Sequence, residues 1–268
     1  QNLTLYQRDA KVNINREKIS DKSLFQEVTP IDFLHTENNY NDFKREIMLP
    51  HMLSTLGPKL AVGDVNGDGL EDAFIGGAKG STGGIFIQSP SGAFYRSNNI
   101  NLEADAACED IGAVFFDADG DQDLDLYVVS GGNEFQKTDS GLKDRLYLNQ
   151  GIGNFIKSKD NLPDNFSSGS VVKAADYDSD GDIDLFVGGR ILPNEYPYAP
   201  QSFLLQNNGK GVFEDVTENI ASGLKNIGMV SDALWTDFNG DTLKDLILVG
   251  EWMPITLFVN ENGKFKNI

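Results

Sequence analysis

The sequence predicts an all-β protein: a β-propeller of four-stranded antiparallel blades, four of which are visible. Three observations predict it. A nine-residue acidic pattern with oxygen-bearing side chains at positions 1, 3, 5 and 9 recurs with first positions Asp64, Asp117, Asp176 and Asp237, at spacings of 53, 59 and 61 residues. Self-similarity at a long, nearly fixed period marks a repeat architecture. Each copy is flanked by short apolar runs, rich in β-branched and aromatic residues and closed by glycine, which read as buried strands. Those runs amount to four strands per period, the content of one propeller blade.

Taken in order, residues 1–22 are polar without periodicity and are expected to form an N-terminal tail; the propeller domain is expected over 23–268. Leu24–Thr29 mirrors Val212–Thr217 and reads as the outer strand (24–29) of a blade whose other strands lie elsewhere. Residues 30–57 form a long connection in which Asp42–Ile47 is expected to be a short helix. Blades are expected at about 58–97, 111–157, 170–216 and 229–268. Their first strands precede the acidic pattern: Leu60–Val62, Ala113–Phe116, Val171–Ala175 and Ala233–Trp235. Second strands follow it: Ala73–Gly76, Leu126–Gly131, Leu185–Gly188 and Leu246–Gly250. Third strands are Ile85–Ile87, Arg145–Leu148, Ser202–Leu205 and Thr256–Val259; after a Gly/Asn turn come Ala93–Tyr95, Asn154–Ile156, Val212–Glu214 and Lys264–Lys266. A propeller pairs its first and last blades or leaves exposed edges. The completeness of each unit favours a compact four-bladed ring, closed or edged by the leading strand; the alternative is part of a larger ring.

In Asp176–Asp184, as in Asp117–Asp125, five aspartates alternate with other residues. Carboxylates so close repel one another, and a hard cation removes the repulsion; calcium takes six to eight oxygens at about 2.3–2.6 Å. Four copies at regular spacing argue against a solvated acidic turn. The EF-hand is excluded, because it requires flanking helices and a bidentate Glu at position 12; here position 12 is Ile75, Val128, Val187 or Leu248, inside strands. The net charge of −19 argues against nucleic acid, whose phosphates require a basic surface, and four bound dications would bring it to about −11. The single cysteine, Cys108, permits no internal disulfide and reads as a small buried apolar residue. No run approaches the ~18 apolar residues of a membrane span. A chain that starts at Gln1 without a leader reads as a mature protein or an excised fragment, with further domains of a longer parent as possible neighbours.

The nine-residue loops, the glycine endings and the Leu146–Phe155 hairpin make the sequence resemble the FG-GAP/VCBS repeat family, the calcium-loop blades also found in integrin α heads. Gly250–Pro254 and Phe213–Thr217 look like the bacterial branch associated with ASPIC/UnbV domains. The resemblance covers roughly residues 24–268 and implies a propeller of about seven blades, four calcium sites, and a secreted or cell-surface location, the bacterial outer surface or the periplasm. It implies side-chain ligands at positions 1, 3, 5 and 9 and a carbonyl ligand at position 7. The first set is Asp64, Asn66, Asp68, Leu70 (carbonyl) and Asp72; the second is Asp117, Asp119, Asp121, Asp123 (carbonyl) and Asp125. The third is Asp176, Asp178, Asp180, Asp182 (carbonyl) and Asp184; the fourth is Asp237, Asn239, Asp241, Leu243 (carbonyl) and Asp245. The family has glycine at position 6, where Gly69 and Gly181 fit and Gln122 and Thr242 depart. The fourth site, with three carboxylates and no turn glycine, is therefore expected to be the weakest.

Ligand-binding residues are expected on the face opposite the acidic loops, in the connections between second and third strands, since binding residues concentrate on loops held by a rigid scaffold. Lys79, Glu134, Arg190, Tyr196, Tyr198, Glu251 and Trp252 follow equivalent strand ends. Arg190, Glu134, Glu251 and Trp252 are expected to converge near the axis, with an Arg190–Glu251 pair and a core Trp252 as the plainer possibility. The function implied is a calcium-stabilised extracellular module that binds a protein or glycan and is not an enzyme. The rival is a polysaccharide lyase, with Arg190 and Lys79 anchoring a uronate and Tyr196 or Tyr198 as base. His35 and His51 are expected to make structural hydrogen bonds. No Gly-x-Ser-x-Gly elbow and no zinc spacing is present.

Overall fold

The computed structural model describes residues 31–268; the expected tail at 1–22 and strand at 24–29 lie outside the described residues. Among the described residues, sixteen strands form four antiparallel sheets, each a four-strand meander in chain order. Sheet 1 is β1 (Leu60–Gly63), β2 (Asp72–Ile75), β3 (Gly84–Gln88) and β4 (Phe94–Arg96). Helix α1 (Ile100–Glu103) leads to sheet 2: β5 (Asp110–Phe116), β6 (Asp125–Ser130), β7 (Arg145–Asn149) and β8 (Phe155–Lys157). Sheet 3 is β9 (Ser168–Ala175), β10 (Asp184–Ile191), β11 (Phe203–Asn207) and β12 (Phe213–Asp215). After α2 (Thr217–Ile220), sheet 4 is β13 (Met229–Thr236), β14 (Asp245–Glu251), β15 (Thr256–Asn260) and β16 (Phe265–Asn267).

Strand period explains how the sheets pack. Successive side chains point to opposite faces, so each sheet offers two cross-strand rows. On the forward face these are Ala61–Phe74–Ile85, Val114–Tyr127–Leu146, Lys173–Phe186–Leu204 and Leu234–Ile247–Leu257. On the backward face they are Val62–Ala73–Phe86, Phe115–Leu126–Tyr147, Ala174–Leu185–Leu205 and Trp235–Leu246–Phe258. The forward face of each of the first three sheets meets the backward face of the next, giving three inter-sheet cores. The glycines closing the second strands permit this approach. A Cβ on Gly76 would fall 2.8 Å from Asp110 Cβ of β5, and one on Gly188 would fall 2.8 Å from Val230 Cγ1 of β13.

The two outermost rows differ. Phe86 of sheet 1 is covered by Phe33, with ring centroids 5.5 Å apart and edge-on. The forward row of sheet 4 joins none of the cores among the described residues, and its Leu234 is 57% exposed. First-strand ends from all four sheets nevertheless surround one cavity of about 170 Å³, lined by Leu56, Lys59, Ile111, Ser170, Arg190 and Ser231.

The segment ahead of β1 is a strap across the strand ends opposite the acidic loops. His35 Nδ1 lies 3.2 Å from the Gly76 carbonyl of sheet 1. Arg45 donates to the Asn133 and Phe135 carbonyls at 3.1 and 2.9 Å, beside sheet 2. Glu46 accepts from Asn133 Nδ2 at 2.7 Å and from the Tyr196 amide at 2.8 Å. Leu49 and Leu53 pack with Ile191 and Met229 of sheets 3 and 4. The helix expected over Asp42–Ile47 is one 3-10 turn, Asp42–Lys44, capped by Asn41. Asp42 leaves this turn fully buried to accept from Ser54 Oγ at 2.6 Å, which folds the strap on itself. Cys108 is buried, as expected.

Candidate metal centres and binding face

The four acidic loops join first to second strands and share one backbone conformation. Position 4 is left-handed in all of them, at Gly67 (φ 74), Gly120 (φ 80), Ser179 (φ 65) and Gly240 (φ 80). So is position 6, at Gly69 (φ 83), Gln122 (φ 74), Gly181 (φ 97) and Thr242 (φ 76). This turn aims amide groups at the position-1 carboxylate. Asp64 accepts from Gly67 at 2.8 Å, from Asp68 at 3.1 Å and from Gly69 at 2.7 Å. Asp237 accepts equivalently from Gly240, Asp241 and Thr242. Burial raises the Asp64 carboxyl, but the surrounding N–H groups together outweigh it and hold the carboxyl below the usual range.

Thr242 therefore carries a β-branched side chain in a conformation that costs an L-residue roughly 1–2 kcal/mol. Thr242→Gly is expected to stabilise the protein by about 1 kcal/mol and to tighten the fourth loop's calcium binding. Urea unfolding and calcium titration of the variant check this; a less stable variant would refute the strain.

Position 9 anchors each loop to its sheet. Asp72, Asp125, Asp184 and Asp245 are fully buried. One oxygen accepts from the position-2 amide: Val65 at 3.1 Å, Ala118 at 2.8 Å, Tyr177 at 3.4 Å and Phe238 at 2.9 Å. The other accepts from the end of the third strand: Gln88 at 2.8 Å, Asn149 at 2.7 Å, Asn207 at 2.9 Å and Asn260 at 2.8 Å. These asparagines were not singled out from the sequence. Each amide group reaches back to the loop of the preceding sheet: Asn149 to the Val65 carbonyl, Asn207 to Ala118 and Asn260 to Tyr177, at 2.8, 2.8 and 2.7 Å. The loops are thereby chained together. The asparagine ending the third strand of sheets 2, 3 and 4 was the available signal.

Carboxylates converge most closely in two loops. Oxygens of Asp117, Asp119 and Asp121 lie within 4.8 Å of one another, as do those of Asp176, Asp178 and Asp184. Asp119 and Asp123 each keep a buried oxygen with no partner among the described residues. Burial pushes Asp125 and Asp184 each up to about 7, and burial together with Asp121 pushes Asp123 up to about 6. A donor set of hard, mutually repelling oxygens with unpartnered lone pairs fits a calcium-type ion. In the first and fourth loops Asn66 and Asn239 stand at position 3, and each donates to the position-5 aspartate, at 3.1 and 2.8 Å.

On the opposite face the expected ligand residues fall into two groups. Arg190 is only 5% exposed and donates to Glu251 Oε1 at 2.5 Å, with His51 Nε2 at 3.3 Å and the Met229 carbonyl at 3.5 Å. Trp252, in contrast to a core residue, is 68% exposed with φ 58; its Nε1–H donates to the Tyr196 hydroxyl at 2.9 Å. Tyr198, two residues after Tyr196, is 71% exposed. Glu134 does not join Arg190: its Oε1 accepts from Asn38 of the strap at 2.8 Å, and Lys79 lies over the Phe135 ring, 4.0 Å from its centroid. Nearby Glu109 is fully buried, and burial, with Glu134 and Glu37 adding to it, pushes its carboxyl up to about 8. His35 and His51 both take part in hydrogen bonding, as expected.

A family model described as FG-GAP-like repeat matches residues 64–128 and 117–187. No curated protein matches. Among solved structures, the crystal structure of the V. cholerae biofilm matrix protein Bap1 is similar at 17% identity and a TM-score of 0.37, over 78% of this chain and 30% of that one. The chain thus spans under a third of that protein's length. Each family match runs from one acidic loop through the next, so residues 64–187 are similar to FG-GAP-like repeats.

Proposed function

We propose that the chain is a calcium-stabilised extracellular binding module, secreted or carried on a bacterial surface, that recognises a protein or glycan through the face opposite its acidic loops. Calcium at all four loops neutralises the carboxylates and clamps first to second strands; its role is structural, and the module binds rather than turns over its ligand. Two loops with three converging carboxylates support this reading, and the shared backbone conformation extends it to the other two. The sheets are read as consecutive propeller blades around the cavity between their first strands. Among the described residues, Ile247 in the forward row of sheet 4 is only half-buried, where its counterparts Phe74, Tyr127 and Phe186 are fully buried. That favours an open arc of a larger propeller over a closed ring of four.

The observation that carries the binding site is the exposed Trp252, its indole held by Tyr196, with the exposed Tyr198 two residues further along the same connection. Aromatic faces with a polar handle suit sugar rings and interface side chains, and a strained exposed residue points to use. Calcium-loaded protein on a broad glycan array, followed by pull-down from the native cell surface if the array is blank, identifies the ligand class. Trp252→Ala is expected to weaken binding about 30-fold or more while leaving the melting temperature unchanged. Full affinity in Trp252→Ala and Tyr198→Ala would remove the patch from the site, and release of unsaturated sugar from a uronate polymer would replace the module with a lyase.

A further inference from the structure

We propose that Asn66 and Asn239, at position 3 of the first and fourth acidic loops, are sites of self-catalysed deamidation. An asparagine followed by glycine needs only water for this reaction. The glycine nitrogen attacks the asparagine Cγ, the bond to Nδ2 breaks, ammonia leaves and a succinimide ring forms. Water then opens either ring carbonyl, giving aspartate or isoaspartate. Each site takes up one water and releases one ammonia. Glycine permits the attack because no side chain shields its nitrogen. The sequence has four Asn–Gly pairs, beginning at Asn66, Asn208, Asn239 and Asn262.

In the two acidic loops every step of the reaction finds a partner. The Gly67 amide donates to Asp64 Oδ1 at 2.8 Å, and the Gly240 amide to Asp237 Oδ1 at 2.7 Å. Each carboxylate stands at the proton that the attacking nitrogen must lose, which is the place of a general base. Attack puts negative charge on the asparagine Oδ1. That oxygen already accepts from the amide of position 5, Asp68 or Asp241, at 2.9 Å in both loops. A fixed donor at a developing oxyanion lowers the barrier. The leaving nitrogen is held too: Asn66 Nδ2 donates to Asp68 Oδ2 at 3.1 Å and Asn239 Nδ2 to Asp241 Oδ2 at 2.8 Å. The proton taken from glycine leaves with the ammonia, so both aspartates end as they began. Gly67, Asn239 and Gly240 are exposed and Asn66 is half-buried, which admits water to the ring. The other two pairs lack the base. The Gly263 amide donates to the neutral Asn260 Oδ1 at 2.7 Å. Asn208 Oδ1 accepts from the Lys210 and Val212 amides, and among the described residues no carboxylate accepts from the Gly209 amide. The product alters the loops. Aspartate at position 3 reproduces Asp119 and Asp178 of the second and third loops, which have no amide there to lose. Isoaspartate lengthens the main chain by a methylene and breaks the turn.

The test is incubation of the full chain in chelator at neutral pH, followed by peptide mapping with mass spectrometry. One digest reads the change from amide to acid at all four pairs, and retention separates isoaspartate from aspartate. Asn66 and Asn239 are expected to convert about ten times faster than Asn208 and Asn262, or more. In urea, where only the local sequence acts, that difference should vanish. Asp64→Asn is expected to slow conversion at Asn66 about tenfold and to leave Asn239 unchanged; Asp237→Asn should do the reverse. Loop sites that convert no faster than the other two, or faster in urea than in the folded chain, would overturn the proposal. So would an unchanged rate at Asn66 in Asp64→Asn. The first comparison uses the unaltered protein and decides the matter even where a variant loop does not fold. Chelator keeps calcium out of the comparison, so the outcome is independent of the function proposed above.

Discussion

Chelating calcium is expected to lower the melting temperature by about 20–40 °C. A ligand at 100 times its Kd that binds only the folded state contributes about 2.7 kcal/mol per site, and each kcal/mol moves a domain of this size by about 2–4 °C. Four loops acting together give the quoted range. The effect should also depend on pH in a defined direction. Without calcium, Asp123 stands at about 6 and Asp125 and Asp184 at about 7, raised chiefly by burial. Unfolded aspartate titrates near 3.9. Between those values the folded chain holds more protons than the unfolded one, so these groups favour folding most below about pH 4, and their contribution is lost as pH rises through 7. Calcium requires ionised carboxylates and displaces those protons. The calcium-induced gain should therefore be larger at pH 7.5 than at pH 5.5. Scanning calorimetry in calcium and in chelator at both pH values checks it; no change on chelation, or a larger gain at the lower pH, would remove calcium from the scaffold.

Much of the fold was legible because strand formation here is local. Short continuous apolar runs closed by glycine mark buried strands whose partners follow nearby in the chain, and the meander of each sheet obeys that rule. The loops were legible because a repeated carboxylate pattern has few uses other than a cation. What could not be read depended on contacts distant in sequence. The strap over 31–57 has no periodicity, and its partners lie as far away as Asn194 and Tyr196. It covers part of the face on which Glu134, Arg190 and Trp252 were expected to converge, and it takes Glu134 for itself through Asn38. Asn149, Asn207 and Asn260 look like ordinary turn residues until the neighbouring loop is in place. The apolar content of Leu234, Ile247 and Leu257 announced a buried strand, but only the packing reveals that no sheet among the described residues lies against this face.

The sequence drew attention to Arg190, yet the larger loss is expected at Arg145. Both arginines meet an acid, Arg145 with Asp110 at 2.6 Å and Arg190 with Glu251 at 2.5 Å. The surroundings decide between them. Side-chain exposures are 4% and 8% for the first pair, against 6% and 35% for the second. Removing one member of a buried pair leaves an uncompensated buried charge and costs about 3–5 kcal/mol; a partly exposed partner recovers much of its hydration. Asp110 is also committed elsewhere, since its Oδ2 accepts from the Gly77 amide of sheet 1 at 2.8 Å. Arg145 therefore holds the acid that joins sheets 1 and 2. Arg145→Met is expected to lower stability by about 3–5 kcal/mol, and Arg190→Met by distinctly less. Adding Asp110→Asn to Arg145→Met should recover part of the loss, because the amide oxygen still accepts from Gly77 while the stranded charge is gone. Urea unfolding of the four proteins measures this cycle. If Arg145→Met costs no more than Arg190→Met, or the double variant is no more stable than the single, the buried charge is not what joins those sheets.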